Sequence, residues 1–398
     1  MKDRYDILIA GGGNAGLAAA ATLGQTGLSV LCVDPTPPVT DPEAEGADLR
    51  TTALLQPARD LLSKSSAWSR LLPHASPLYV MRIVEGGGTE PKIHDFRSSD
   101  LSDDPFGWNF PNWLLRRELL ATLHDLSNVT FRTGVSAGHI LTRTAGTRVK
   151  LSDGNRVQAS LVIAADGRNS WLRAQAGIGV ETRRYGQMAL AFAVTHPIPH
   201  ENVSTEIHRT GGPFTLVPLP DRDGLPCSAI VWMDDGPKSQ ARLNMDIEAF
   251  EAEMSDRSDH LFGPLTLASR RTIWPIVSQR AKRLVGERLA LIAEAAHVVP
   301  PIGAQGLNMS LADVACLFDL IMADPQSIGA PEMLQQYERK RMRDIQVRVG
   351  GIDLLNRVSQ VANPLLRDVR ALGLDALHQV KPVRQTLMRM GLGLQRLG

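Results

Sequence analysis

The most specific chemical pattern in the chain lies near its start, where glycines follow a short apolar run at residues 5–10. The six residues after that run are Gly11, Gly12, Gly13, Asn14, Ala15 and Gly16. An alanine-rich stretch with high helix propensity comes next, and a second apolar run then ends at Asp34. Glycines with this spacing permit a tight turn and close approach to a pyrophosphate, and the acidic residue suits a ribose hydroxyl. The pattern predicts a dinucleotide site, and by itself it leaves FAD and NAD open.

Two further segments place acidic residues and glycines after apolar runs. In the first, residues 161–165 lead into an Asp-Gly turn at Asp166. In the second, an apolar strand precedes Glu294, and a Pro-Pro-Ile-Gly loop then leads from Pro300 to a helix that opens near Gly306. The free N–H groups at such a helix start can bind a second anionic group or stabilise negative charge on a ring.

The order of these three segments resembles that in the single-component flavoprotein aromatic hydroxylases, which are class A monooxygenases with a p-hydroxybenzoate-hydroxylase-like fold. Within that class the chain is most similar to the ubiquinone-biosynthesis FAD-dependent hydroxylase family. The resemblance extends from about residue 5 to about residue 320, and more loosely to the end. It is carried by segments 11–16, 48–54, 112–119, 166–167, 212–219, 230–232 and 295–308.

The resemblance implies that FAD, rather than NAD, is the tightly bound cofactor. It implies that the first glycine turn faces the pyrophosphate, that Asp34 binds the adenosine ribose, and that Asp166 fixes the crossing strand. Arg50 and Arg117 would lie near the phosphates or the ribityl chain, and residues 301–308 would line the isoalloxazine ring. The residues expected to bind FAD are Gly11, Gly13, Asn14, Ala15, Gly16, Asp34, Arg50, Arg117, Asp166, Glu294, Pro301, Gly303, Ala304, Gln305, Gly306, Leu307 and Asn308.

The third segment departs from the family pattern at two adjacent positions. The family usually has Gly-Asp before Ala-Ala-His, whereas this chain has Ala293 and Glu294. Glu294 keeps a carboxylate for a ribityl or ribose hydroxyl but reaches one methylene further, and Ala293 adds a methyl group where the backbone lies close to the cofactor. We expect the site to persist with Glu294 in the role of the acid.

With FAD bound, the resemblance implies an aromatic-ring monooxygenase that uses O2 and takes electrons from NAD(P)H, or from another donor, as a transient reductant. It would hydroxylate a polyprenylated phenol in ubiquinone biosynthesis through a flavin C4a-hydroperoxide. The stiff loop that contains Pro300, Pro301 and Gly303 would face the flavin and exclude water, so catalysis is assigned to no side chain. His297 is expected to be structural, and the spacing of the other histidines predicts no metal site.

Two alternatives remain open at the level of sequence. One is a hydroxylase of a small soluble aromatic acid, and the other is a non-catalytic flavoprotein or scaffold subunit of a biosynthetic complex. The change at Ala293 and Glu294 makes the second alternative worth testing, because it falls on a predicted cofactor contact.

The chemical segments interleave along the chain, so the sequence predicts an α/β fold with discontinuous domains. A Rossmann-like FAD-binding domain would comprise residues 1–77, 103–180 and 276–328. A β-sheet substrate domain would comprise residues 78–102 and 181–275, whose alternating apolar positions are typical of strands. C-terminal helices with a basic surface would occupy residues 329–398.

Charge is distributed unevenly along a chain that is nearly neutral as a whole. The 398 residues have a formal net charge of +1, and their ordinary globular composition argues against nucleic-acid binding. Residues 339–398 contain 12 basic and four acidic residues, a surplus of eight positive charges, so the rest of the chain carries −7. We expect this basic segment to pack on the FAD-binding domain through its apolar positions and to bind an anionic membrane surface through the others.

The same sequence features lead to an expected cellular location. No apolar run of about 18 residues is present, so no membrane-spanning helix is predicted. The three cysteines are widely spaced and predict neither a disulfide scaffold nor a metal site. We expect a cytoplasmic protein that lies at the inner face of the membrane, where a lipophilic phenolic substrate and other ubiquinone-pathway proteins would be its partners.

Overall fold

The computed structural model describes residues 3–86, 91–143, 146–209, 211–359 and 381–393. Its strands, numbered along the chain, are β1 (Arg4–Ala10), β2 (Val30–Asp34), β3 (Thr51–Leu55), β4 (Ser76–Leu78), β5 (Val80–Glu85), β6 (Lys92–Arg97), β7 (Gly107–Pro111), β8 (Val129–Thr133), β9 (Ala137–Arg143), β10 (Gly146–Leu151), β11 (Arg156–Ala164), β12 (Val180–Thr195), β13 (Val203–His208), β14 (Pro213–Arg222), β15 (Leu225–Asp235), β16 (Thr266–Leu267), β17 (Thr272–Ala281), β18 (Val285–Gly286), β19 (Leu289–Leu291) and β20 (His297–Val298). Its helices are α1 (Asn14–Gly24), α2 (Gln56–Leu62), α3 (Ala67–Leu71), α4 (Asn112–His124), α5 (Trp171–Gln175), α6 (Gly236–Asn244), α7 (Ile247–Arg257), α8 (Gln305–Ala323), α9 (Pro331–Ser359) and α10 (Lys381–Leu392).

The first sheet has the predicted dinucleotide-binding topology. β1 pairs in parallel with β2 on one side and with β11 on the other, β2 pairs with β8, and β11 pairs with β19. The apolar residues of β1 and β2 are buried, as expected for central parallel strands. Because all these strands run in the same direction, their carboxyl ends meet at one edge of the sheet.

The second sheet is larger and has two apolar faces. Its strands follow the order β20-β17-β12-β15-β14-β13-β5-β6, and β16 pairs with β12. On one face, Phe192, Phe214 and Trp232 pack with Phe250 of α7 in a separate core. Residues at the alternate positions contact the core of the first sheet instead, and Trp274 of β17 is one of them. The second sheet therefore places one of its faces against the edge where the predicted motifs lie.

A third, three-stranded sheet contacts the second sheet, and helix α8 packs beside the third sheet. The third sheet has the order β3-β7-β4 and is linked to the second by a hydrogen bond from Asn109 Nδ2 to the Pro218 carbonyl oxygen, 2.9 Å long. Among the described helices, α8 alone has the length and apolar composition to cross a membrane. It packs on α1, α2 and α9, which accounts for its apolar character.

The C-terminal helices pack on both layers. Tyr337 of α9 donates a hydrogen bond to the Leu291 carbonyl oxygen at 2.7 Å, so α9 is attached to the edge of the first sheet. Met388 of α10 packs with Phe96 and Phe106, next to the second sheet. The predicted fold class, a Rossmann-like α/β domain interleaved with a β-sheet domain and followed by C-terminal helices, is confirmed. The predicted domain boundaries stay a prediction, and residues 360–380 and 394–398 of the basic segment lie outside the described residues.

Candidate functional site

The carboxyl ends of four parallel strands bring the three predicted segments together. The glycine turn at residues 11–16 follows β1, Asp34 ends β2, Asp166 lies just beyond β11, and Glu294 lies just beyond β19. β2 and β11 flank β1 on opposite sides. The order in which successive strands are added to the sheet therefore reverses at β1. The crevice at such a point is the usual ligand site of an open α/β sheet.

Two of the glycines in the first turn are required by close backbone contacts. Gly11 has a φ of +113°, and a Cβ there would lie 2.1 Å from the Ala165 carbonyl oxygen. A Cβ at Gly16 would lie 1.9 Å from the Gly11 carbonyl oxygen. Atoms this close overlap, so only glycine lets β1, α1 and the turn after β11 pack against one another.

Gly13 differs from its neighbours because the space beside it is open. It is the N-cap of α1, with φ −71° and ψ 174°, and no side chain caps the helix. A Cβ at Gly13 would meet no heavy atom within 4 Å. The start of α1 therefore offers uncapped N–H groups and the positive end of the helix dipole to an anion such as a phosphate.

The next two residues, Asn14 and Ala15, begin α1 at this open end. Ala15 is buried, and the buried Asn14 Oδ1 atom has no hydrogen-bond partner among the residues that the structure describes. Asn14 lines a small pocket whose other walls are apolar side chains of α1, β3, α2, α4 and α8: Ala18, Leu54, Leu62, Leu115, Leu119, Leu307 and Leu311. A buried acceptor without a donor costs free energy, so a ligand that donates a hydrogen bond here would be favoured.

Asp34 holds the glycine turn from the end of β2. Its Oδ2 accepts a hydrogen bond from the Gly12 N–H at 2.5 Å, and its Oδ1 accepts from the Thr36 N–H at 2.8 Å. An ionised carboxylate has about four acceptor positions, so Asp34 retains lone pairs for a ribose hydroxyl.

Asp166 organises the turn after β11. Its carboxylate accepts hydrogen bonds from the Ser170 hydroxyl and from the Leu172 N–H, which fixes the start of α5. Arg173 of the same helix donates to the Ala295 carbonyl oxygen at 2.8 Å. This bond ties the second predicted segment to the third.

The departure from the family pattern at Ala293 coincides with an unusual backbone conformation. Ala293 has a φ of +55°, in the left-handed region that favours glycine. Its N–H donates to Asp313 Oδ2 at 3.0 Å, which helps to hold that conformation. The next residue, Glu294, is exposed, and its carboxylate makes no hydrogen bond within the described part of the chain. Glu294 is therefore available to a ligand at the sheet edge.

Arg50 lies in a cluster of charged and polar side chains, close enough to Glu294 for their charges to interact. Arg50 Nε and Nη2 each donate to Asp48 at 2.7 Å, and Asp48 also accepts from Asn112 Nδ2 at 3.0 Å. These hydrogen bonds raise the pKa of Arg50 against the opposing effect of burial, and the charges of Asp48 and Glu294 add to the rise. The Arg50 guanidinium also lies 5.3 Å from the ring centre of Trp274. Arg50 thus joins the first-sheet edge to the second sheet.

The structure does not bring Arg117 to this group. Arg117 donates to Glu118 at 2.7 Å, lies over the Trp113 ring and contacts His74. The preceding residue, Arg116, lies instead 3.8 Å from Asp48. Adjacent residues on a helix point about 100° apart, so the sequence could not tell which of the two arginines faces the site.

The loop from Pro300 to Ala304 has two consecutive residues in the left-handed region. Gly303 has a φ of +61° and Ala304 a φ of +56°, and Ala304 is the N-cap of α8 without a side-chain hydrogen bond. Pro300 is buried, whereas Pro301, Gly303 and Gly306 are exposed. The start of α8 therefore presents a second set of uncapped N–H groups, as the sequence predicts.

Asn308 connects this loop to the third sheet. Asn308 Oδ1 accepts from the Leu55 N–H at 2.9 Å, and Nδ2 donates to the carbonyl oxygens of Ala53 and Ala304. Leu307 lies in the small pocket beside Asn14. The Asn308 side chain thus holds β3 against the start of α8.

A buried network of charged side chains contacts the third segment at Ala293. Asp313 Oδ2 accepts from His297 Nε2 at 2.8 Å, and Asp313 Oδ1 accepts from Arg341 Nε at 2.7 Å. Burial alone would raise the pKa of Asp313, but His297 and Arg341 hold it below its ordinary value. Asp313, a fully buried acid of α8, is a site residue that sequence reasoning missed. It lies four residues from the buried Met309 and from the buried Leu317, and an acid at that helical spacing within an apolar stripe is the signal that could have revealed it.

The face of the second sheet that turns toward this edge is lined by small and medium side chains. Thr215 pairs with Val231, Val231 pairs with Ala191, and Ala189 pairs with Trp274. Thr215, Val217, Val231 and Trp274 are half-buried, whereas their neighbours along the strands fill the separate core. This face offers an apolar surface opposite the charged edge of the first sheet.

These residues fit FAD in three respects. The open space beside Gly13 lies at an uncapped helix start, Asn14 Oδ1 lacks a partner, and the exposed Glu294 carboxylate lies near Arg50. The pyrophosphate of FAD needs an anion site, and its ribityl chain needs acceptors for hydroxyl groups. Its flavin ring needs an adjoining apolar surface.

Comparisons with known proteins agree with this geometry. Residues 4–349 match the family described as FAD binding domain. The chain is 33% identical to ubiquinone hydroxylase UbiL of Rhodospirillum rubrum, over 99% of this chain and 90% of that protein. It is 28% identical to 3-demethoxyubiquinol 3-hydroxylase of Escherichia coli, over 98% of each chain.

Solved structures support the fold. p-Nitrophenol 4-monooxygenase of Pseudomonas putida superimposes with a TM-score of 0.80 at 18% identity, over 98% of this chain and 99% of that one. The prediction of FAD rather than NAD is confirmed by the family match. The chain therefore belongs to the FAD binding domain family and, within it, to the ubiquinone-hydroxylase family of FAD-dependent monooxygenases.

Proposed function

We propose that this protein hydroxylates the aromatic ring of a polyprenylated phenol in ubiquinone biosynthesis, using O2 and electrons from NAD(P)H or another donor. The observation that carries the proposal is the uncapped start of α1, at the same sheet edge where Asp34 ends β2 and Glu294 follows β19. The relatives named as ubiquinone hydroxylases match this chain along nearly its whole length, which supports the substrate class.

Each part of FAD has a proposed set of partners. The turn at residues 11–16 binds the pyrophosphate through backbone N–H groups, and Asp34 binds the adenosine ribose. Glu294 and Asn14 accept hydrogen bonds from the ribityl region, with Arg50 beside them. Residues 301–308 line the flavin ring. We place Arg116, instead of the predicted Arg117, on the cofactor side of α4, because Arg116 is the residue near Asp48.

Bound FAD supplies electron transfer and oxygen activation, which protein side chains cannot provide. The chain must bind the phenol, orient its ring and exclude water. The buried Pro300 and the stiff loop after it limit access of water from one side. The sequence has no second strand-glycine-helix unit of this kind, so we propose that the reductant binds transiently.

The substrate ring is proposed to lie between this loop and the second sheet. Ala189 and Ala191 project on the same face as Val231 and Trp274, and the half-buried Val231 and Trp274 leave part of that face accessible to a ring. An apolar wall suits a lipophilic phenol, because transfer of its hydrocarbon from water is favourable.

We further propose that α9 docks this protein on an anionic membrane surface, where such a substrate is dissolved and other pathway proteins can be met. Lys340, Arg343, Val347 and Leu354 are exposed at spacings that place them along one side of α9. A stripe that mixes basic and apolar residues suits a lipid headgroup region.

The central experiment combines cofactor analysis with quinone profiling. Purified protein should show flavin absorption, and a strain without the protein should accumulate an under-hydroxylated quinone precursor. Absence of flavin absorption even after FAD is supplied would contradict the cofactor assignment. Normal ubiquinone in the deletion strain would contradict the substrate, leaving a soluble aromatic acid as the compound to test.

A further inference from the structure

The side-chain amide of Gln305, in the first turn of α8, contacts three different parts of the chain. Gln305 Nε2 donates to the carbonyl oxygens of Gly303, at 2.8 Å, and Gly391, at 2.9 Å. Gln305 Oε1 accepts from Arg348 Nη1 at 2.7 Å. Carbonyl groups only accept and guanidinium groups only donate, so these partners fix the orientation of the amide.

Arg348 is itself held in place by an acidic partner on α9, Asp344. Arg348 Nε donates to Asp344 Oδ1 at 2.9 Å, and Asp344 Oδ2 accepts from Arg341 Nη1 at 2.6 Å. Arg341 in turn bonds to the buried Asp313. The Arg348 side chain is only 18% exposed, so its hydrogen bonds are partly shielded from water. A continuous chain of charged contacts therefore links the third predicted segment to Gln305.

Helix α10 contributes the Gly391 carbonyl oxygen. Its other end is anchored to Asp100, which follows strand β6 of the second sheet. Arg384 lies 3.2 Å from the Asp100 carboxylate, and Gln385 Nε2 donates to the Asp100 carbonyl oxygen at 2.7 Å. Met388 packs with Phe96 and Phe106. α10 thus extends from the proposed substrate side to the loop before α8.

The loop that Gln305 holds needs such support. Gly303 and the non-glycine Ala304 both have positive φ, and Ala304 caps α8 without any side-chain hydrogen bond. Conformations of this kind cost free energy and persist only when surrounding contacts enforce them.

We propose that Arg348 is a positioning residue, which acts through Gln305 to lock the loop at residues 303–305 onto α10 and so sets the wall of the flavin site. The effect on the flavin rests on the proposed function, whereas the coupling between loop and helix does not. Arg348 uses two different nitrogens of a rigid planar group, one for Asp344 and one for Gln305. A lysine cannot reproduce that fork, so Arg348→Lys should restore the coupling only in part.

The coupling is tested by hydrogen–deuterium exchange on the full-length protein without added FAD. In Arg348→Met, peptides that cover residues 301–306 and 388–393 should exchange about tenfold faster than in the wild type, and peptides from α1 should not change. Arg339→Met is the matched control, because Arg339 is an exposed residue of the same helix. Exchange in Arg348→Met that equals exchange in Arg339→Met would overturn the proposal.

The effect on the cofactor is read from the spectrum of bound FAD, which a purely structural role far from the flavin would not move. Arg348→Met should shift the visible absorption maxima by a few nanometres and change the quenching of flavin fluorescence, with Arg348→Lys between it and the wild type. Faster exchange with an unchanged flavin spectrum would overturn the positioning role. Faster exchange in a protein that binds no FAD would leave the coupling standing and reject the proposed function.

Discussion

The replacement of the family's glycine by Ala293 creates local backbone strain at the cofactor edge. With a φ of +55°, the Ala293 methyl group lies near backbone oxygen atoms, at a cost of about 1–2 kcal/mol that glycine would not incur. Replacing Ala293 by glycine would remove this cost. Part of the resulting gain in stability is offset because glycine has more conformational freedom in the unfolded chain. We predict that Ala293→Gly raises the free energy of unfolding by about 0.5–1 kcal/mol, measured by urea denaturation.

Ala295→Gly is the matched control for this prediction. Ala295 is buried in the same short helical turn, and its φ is not positive. There the loss of a buried methyl group and the added chain entropy should lower stability by about 1 kcal/mol. Equal destabilisation by both substitutions would show that the backbone at Ala293 is not strained.

Asp313 should make stability depend on acid pH. Its pKa is lower in the folded protein than in the unfolded chain, so its contribution is present above the unfolded value of about 3.9 and is lost as pH falls through the folded value. Asp313→Asn removes one of the two carboxylates that bind the buried Arg341, and also the charged partner of His297, and should cost about 3 kcal/mol at neutral pH. The difference from wild type, measured by urea denaturation between pH 7 and pH 3, should decrease only below about pH 4.

The double variant Asp313→Asn with Arg341→Met separates the charge effect from lost packing. Removing both partners should recover part of the stability that the single substitution loses, because no buried charge is then left unpaired. A double variant no more stable than Asp313→Asn would contradict this assignment.

Residues whose positions depend on local spacing lie together as the sequence predicts, and their cofactor roles stay a prediction. Gly11, Gly16 and Asp34 follow from a short pattern, and the structure places all three at one turn. Sequence reasoning failed to find Asp313 and Arg341, because their partnership joins two helices that are separate in the sequence. Their contact depends on how α8 packs on α9, which short-range spacing does not encode.

At the scale of elements, the start of α1 is the clearest test of cofactor binding. Gly13 has ordinary backbone angles and open space beside it, so Gly13→Asp should fold normally and could even stabilise the helix start. The new carboxylate would lie where the pyrophosphate is proposed to bind and would repel it. We predict a loss of FAD affinity of about 100-fold, or about 2.7 kcal/mol, measured by fluorescence titration.

Gly13→Ala serves as the control at the same position. It adds bulk without charge and should weaken FAD binding far less than Gly13→Asp. Circular dichroism and the thermal midpoint should be close to wild type in both variants. Retention of wild-type affinity by Gly13→Asp would place the pyrophosphate elsewhere.

Elements with a strong local pattern were predicted well. The sheet that depends on pairing between distant segments was not predicted. The strands β1, β2 and β11 and the helix α8 all follow from apolar runs bounded by glycine or proline. The third sheet was not foreseen, because the pairing of β3 with β7 joins segments that carry no mutual signal in the sequence. That pairing decides where Arg50 and Asn112 meet.

For the whole molecule, the basic surplus of residues 339–398 overstates the positive charge that is available to an anionic surface. Arg341, Arg348 and Arg384 form internal ion pairs with Asp313, Asp344 and Asp100, so these basic residues are not available to lipids. The sequence could not reveal this, because two of those acids lie outside the basic segment.

The exposed basic residues of α9 should carry the interaction with lipids. Arg339→Gln with Lys340→Gln removes two exposed positive charges and should weaken binding to phosphatidylglycerol vesicles by about 2 kcal/mol, or roughly 30-fold. Vesicle sedimentation at low and at physiological salt measures the effect, which salt should reduce.

Arg148→Gln with Lys150→Gln is the control, since both residues are exposed on β10, away from α9. This pair should leave vesicle binding nearly unchanged. If both double variants bind vesicles equally well, the basic side of α9 does not mediate the attachment.

The position of β19 beside β11 also constrains how the protein is made. The strand at residues 289–291 completes the edge that carries Glu294, and Asn308 bonds to Leu55 across 253 positions of sequence. At about 5–20 residues per second, roughly 15–60 s of translation separate the first glycine turn from the last strand of its sheet. The nascent chain therefore spends most of its synthesis with half of a nucleotide cleft exposed. Binding of FAD is therefore one of the last events in the synthesis and folding of the protein. The concentration of free FAD when the chain is released can then set how much of the protein reaches its FAD-bound state.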